Sequence, residues 1–100
     1  MQPVALEQLF VGRQGGRIEL RLVLVDAVEG RSRSVLLAPT ADEHEAVRWL
    51  GRHLAREGQV RELRRLRVRV ARGGGLVDEP ALGAELVAAY RGERRPAERP

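Results

Sequence analysis

Six arginines fall between Gln59 and Arg72 (QVRELRRLRVRVAR), and no other stretch of the chain comes as close to a recognisable chemistry. Arg61, Arg64, Arg65, Arg67, Arg69 and Arg72 face a single acid there, Glu62. Toward its end the stretch alternates, with Arg65, Arg67 and Arg69 interleaved by Leu66, Val68 and Val70. A period of two predicts a half-buried strand, whose arginines would repeat every ~6.6 Å along one face. Such a row could follow the phosphates of a nucleic acid or another polyanion, and all six arginines are candidates for that contact. The competing reading is a solvated strand face whose charge discourages edge pairing.

Composition bears on that choice. All 18 basic residues are arginine, lysine and asparagine are absent, and isoleucine, phenylalanine and tyrosine occur once each. The depleted residues share A- or T-rich codons, which points to a GC-rich bacterial genome and accounts for arginine without any phosphate. Phe10, Trp49 and Tyr90 are the aromatic residues. They fall at expected core or boundary positions, not on an exposed platform where bases could stack.

Other chemistries are weaker. His44 and His53 share a helix but point about 180° apart, and His53 with Glu57 would give a metal only two ligands. Ser32 and Ser34 lie in an arginine-rich segment without a histidine beside them, and Thr40 is engaged in capping. Gly73–Gly75 precedes a helix, but no lysine or hydroxyl follows it, and Asp78 and Glu79 would repel a phosphate. The expectation is a non-catalytic protein with no cofactor and no metal.

The elements that would position the arginines follow from the pattern. Thr40 to Gly58 (TADEHEAVRWLGRHLAREG) reads as a helix, with Thr40 and Glu43 spaced as a capping box and Gly58 as the left-handed stop. Ala46, Val47, Leu50 and Leu54 form its apolar stripe, and Arg48, Arg52 and Arg56 form a second basic row. Before it, Val4–Val11 suits either strand or helix, and a strand is favoured because Gly12–Gly16 reads as a hairpin loop. Arg17–Val28 is a strand with Ile18, Leu20, Leu22 and Leu24 on one side. Glu29–Ser34 reads as a turn and Val35–Ala38 as a short strand. After the basic strand, Gly73–Gly75 breaks the chain, and a helix opens at Pro80 and closes at Gly92.

The expected fold is therefore α+β: one domain over residues 1–92 in βββαβα order, with a mixed four-stranded sheet, two helices on one face and a disordered tail at 93–100. The last strand is expected beside the third and parallel to it. Val23 and Val25 would lie on the uncovered face, where a protein partner or a second copy of the chain could cover them. Charge is uneven: residues 1–58 balance eight arginines against eight acids, so the excess of +4 arises in the basic strand. With 43% hydrophobic residues, no cysteine, no basic leader and no long apolar run, the composition predicts a cytoplasmic domain away from membranes.

Overall fold

The structure, a computed structural model, describes residues 4–63 and 65–94. It is α+β, with the elements β1 (Val4–Gln14), β2 (Arg17–Asp26), β3 (Gly30–Leu37), α1 (Glu43–Glu57), β4 (Val60–Glu62), β5 (Arg67–Arg72), β6 (Gly75–Asp78) and α2 (Pro80–Arg94). The sheet has six strands, not four. Its order is β3-β2-β1-β5-β6, with β4 also paired to β1.

Three segments depart from expectation. Glu29–Ser34 is not a turn: β3 begins at Gly30 and pairs with β2 along its whole length, from Asp26↔Gly30 to Glu19↔Leu37. Gln59–Arg72 is not one strand but two, β4 and β5, separated by a loop in which Arg65 has a φ of 50°. Gly73 and Gly74 both have positive φ and form the two-residue turn of a hairpin, so the chain returns as β6 beside β5. The three glycines by themselves predict only a break. β5 lies parallel to β1, not beside β3, because the antiparallel β1–β2–β3 meander leaves the far edge of β1 free.

One face of the sheet carries the core. Leu6, Leu9, Val11, Ile18, Leu20, Leu22, Val68 and Val70 are buried there beneath Ala46, Val47, Leu50 and Leu54 of α1 and Leu82, Leu86 and Tyr90 of α2. A bulge between Leu6 and Gln8 keeps both Leu6 and Leu9 on that side. The helices run alongside each other in the same sense. His44 and Arg48 meet Glu85 near their starts, and Arg56 meets Glu93 near their ends. At Gly51 the contact is closest, since a Cβ there would lie 2.5 Å from the Leu86 carbonyl oxygen. The Tyr90 hydroxyl donates to the Val60 carbonyl at 2.6 Å and ties α2 to β4.

The N-cap of α1 is Asp42, not Thr40. The Asp42 carboxylate accepts from the Glu45 amide at 2.9 Å. Thr40 remains in the approach because its carbonyl accepts from the Ile18 amide at 3.1 Å; its hydroxyl accepts from the Asp42 amide and donates to Glu45. Gly58, at φ 74°, closes the helix as expected. α2 runs through Gly92 to Arg94, and the expected tail from 95 onward lies outside the described residues.

Candidate anion-binding face of the sheet

Residues that alternate with the core occupy the second face of the sheet, which no helix covers. Cross-strand register sets them in rows. One row runs Val35, Arg21, Phe10, Arg69, Asp78, and the next runs Arg33, Val23, Gln8, Arg67. Phe10 thus sits at the centre with an arginine on either neighbouring strand. Between these rows and the β5–β6 hairpin lies a cleft of about 550 Å³ lined by Phe10, Arg21, Val23, Arg33, Val35 and Leu76, among others.

The arginines of this face fall into two groups. Arg21 bonds Glu19 at 2.8 Å, Arg31 bonds Glu7 at 3.2 Å, and Arg67 reaches both carboxylate oxygens of Asp78 at 3.0 and 3.4 Å. The Arg67 hydrogen bond holds the Asp78 carboxyl below its usual value, and Asp78 in turn raises Arg67. Arg17, Arg33 and Arg69 form no ion pair with a carboxylate among the described residues, although Arg69 stands opposite Asp78 in the β5–β6 ladder and its charge helps to lower that carboxyl. Arg69 is half-buried, donates from Nη2 to the neutral Gln8 side chain at 2.6 Å, and lies over the Phe10 ring with its guanidinium carbon 4.8 Å from the ring centre. Its Nε is buried without a hydrogen-bond partner. That Nε–H is a donor which an arriving anion could satisfy.

The structure brings only part of the expected arginine row together. Arg67 and Arg69 share the open face. Arg65 is not on the strand but in the preceding loop, because a left-handed residue cannot continue the ladder. Arg72 is on the opposite face, where it bonds Glu43 at 2.7 and 2.9 Å and Glu79 at 3.5 Å. Glu43 is the main cause of its raised pKa. Arg61 donates to the Gly58 carbonyl from β4, and Arg64 lies outside the described residues. The helical row does not extend the site either: Arg48 and Arg56 are paired to α2 in the opposite layer. Arg21, Arg31 and Arg33 join the face instead, from β2 and β3. The β2–β3 register, with Arg21 opposite Val35 and Val23 opposite Arg33, is what places them there.

His53 lies 3.7 Å from Glu57 and stacks on Trp49, while His44 meets Glu85. Among the described residues no group of three or more His, Asp or Glu side chains could hold a metal ion, and no helix is long and apolar enough to cross a membrane. Comparison with protein-family models, with curated proteins and with solved structures gave no match.

Proposed function

We propose that this domain is a non-catalytic binding module that takes a polyanion, nucleic acid first among them, on the open face of its sheet. The observation that carries the reading is Arg69, a cation held against Phe10 and Gln8 whose buried Nε has no hydrogen-bond partner. Arg33 supports it from the other side of the cleft. Six arginines (Arg17, Arg21, Arg31, Arg33, Arg67 and Arg69) stand on this face, where Glu7, Glu19 and Asp78 pair with Arg31, Arg21 and Arg67. On the helix-facing side Arg48, Arg56 and Arg72 are matched to glutamates, while Arg52 and Arg91 have no ion pair among the described residues.

Spacing favours a polymer over a single anion. Arg33 and Arg69 are three strand spacings apart across β3, β2, β1 and β5 and lie in adjacent rows, or about 16 Å apart at ~4.8 Å per strand and ~6.6 Å between rows. One phosphate cannot bridge that distance, but a phosphate backbone can touch both. The test is fluorescence anisotropy with a labelled oligonucleotide, single-stranded and duplex, at about 50 mM salt. Saturable binding is the expected result, and its absence overturns the proposal. A second reading, a protein partner on the same face, is favoured by the apolar part of the cleft, where Val35 and Leu76 are more than half exposed.

A further inference from the structure

The edge of the sheet at β3 is long and unobstructed. Its pairing with β2 is regular from Gly30 to Leu37, without a bulge, and the strand contains no proline. Val35 and Leu37 are 57% and 42% exposed. Its only charges are Arg31 and Arg33, which a strand pairing here must accommodate.

The direction of the free backbone groups follows from one bond. Ala38 donates to the Ile18 carbonyl, so the Ile18/Ala38 position is a hydrogen-bonded pair. Antiparallel ladders alternate bonded and non-bonded pairs. Leu36, Ser34 and Ser32 therefore direct their amides and carbonyls to β2, and Leu37, Val35, Arg33 and Arg31 direct theirs outward. These same odd-numbered residues carry the side chains of the open face.

That pattern is complementary to itself. We infer that β3 pairs antiparallel with β3 of a second copy of this chain, about a two-fold axis through Ser34. In this register Arg33 stands opposite the partner's Val35 and Arg31 opposite the partner's Leu37. Every outward residue gains a backbone partner, and each arginine lays its aliphatic stem against an exposed aliphatic side chain. Other registers are worse. Centring on Arg33 sets that arginine against its own copy, centring on Ser32 sets Arg31 against Arg33, and centring on Val35 leaves Arg31 opposite Pro39. A two-fold axis perpendicular to the sheet also keeps both open faces on the same side, so they form one continuous surface. The inference does not depend on polyanion binding, because it rests on the edge and not on what the face takes.

An interface confined to one strand and its flanks falls below the standard size for tight association, so dimerisation is expected in the micromolar range. Sedimentation velocity on the full chain from about 1 to about 300 µM should show a monomer shifting to a dimer. Val35→Pro should abolish the dimer and leave the circular dichroism of the fold unchanged, because only an outward amide is lost. The chain has no cysteine, so Ser34→Cys gives a direct probe of the register. Across a non-bonded pair the two Cα atoms stand about 4.5 Å apart, within disulfide range. S34C should form a covalent dimer under mild oxidation. S32C, displaced from its own copy by roughly 13 Å along the strand, should not. A wild-type chain that stays monomeric throughout, a V35P variant that still dimerises, or equal crosslinking of S34C and S32C would each overturn the inference.

Discussion

The guanidinium carbon of Arg69 lies 4.8 Å from the centre of the Phe10 ring, and the two residues are direct partners in the β1–β5 ladder. The ring attracts the cation without cancelling its charge, so Arg69 is held in place and still available to an anion. Phe10→Leu keeps an apolar residue at the centre of the sheet but removes the ring. It should weaken oligonucleotide binding by roughly 2- to 5-fold, the equivalent of a cation–π contact of about 0.5–1 kcal/mol. Anisotropy titrations of the two proteins side by side would measure this.

Asp42 caps α1 by accepting from the Glu45 amide, and that bond holds its carboxyl below the usual value. Asp42→Ala should lower the melting temperature by about 4–8 °C, while Asp42→Asn, an equally good cap, should change it little. Thermal unfolding followed at 222 nm distinguishes this from a cap at Thr40, which predicts the larger loss for Thr40→Ala.

Gly51 is where the helices meet most closely: a Cβ would approach the Leu86 carbonyl oxygen to 2.5 Å and the Tyr90 amide nitrogen to 2.9 Å. Both contacts are backbone, so neither can swing aside. Alanine is the better helix former by about 1 kcal/mol, yet Gly51→Ala should destabilise the fold by about 1–3 kcal/mol because α1 and α2 must separate. Urea unfolding gives the sign. Stabilisation by alanine would mean that the helices are not packed this closely.

Glu85 joins the helices through His44 and Arg48. The His44 hydrogen bond, followed by that from Arg48, holds its carboxyl below the ordinary value. A carboxyl depressed in the folded state contributes stability that is present above its unfolded pKa, about 4.3. That contribution is lost as pH falls through the lower folded value. The melting temperature should therefore drop as pH falls below about 4.3, and Glu85→Gln should make that drop shallower while lowering stability at neutral pH. Melting curves across this range provide the check.

Much of the core was legible in the sequence because burial left a period in it. Ile18, Leu20, Leu22 and Leu24 announced β2, and Ala46, Val47, Leu50 and Leu54 announced the inner face of α1; all are buried. The edges were not legible. Arg31–Ser34 is exposed at every position, so hydropathy cannot tell an edge strand from a turn there. β6 is likewise exposed throughout. Missing β6 also hid Asp78, the carboxylate that neutralises Arg67. The cap was ambiguous for a different reason: Thr40 with Glu43 and Asp42 with Glu45 share one spacing, and a long-range bond from Ile18 to Thr40 decides between them. The arginines that face each other across the sheet come from β2, β3 and β5, and only strand order brings them together.

The most direct test of the polyanion face is the salt dependence of oligonucleotide binding. Each phosphate neutralised contributes about −0.7 to the log–log slope on a single strand and about −0.9 on a duplex. Replacing both Arg33 and Arg69 by glutamine should therefore make the slope shallower by about 1.4 on a single strand and about 1.8 on a duplex, with the melting temperature of the domain retained. Replacing Arg52 and Arg91, two arginines of the helical layer, removes the same charge and should leave the slope unchanged. An equal loss from both pairs would mean diffuse attraction to a basic protein, and a slope unaffected by Arg33 and Arg69 would contradict the site.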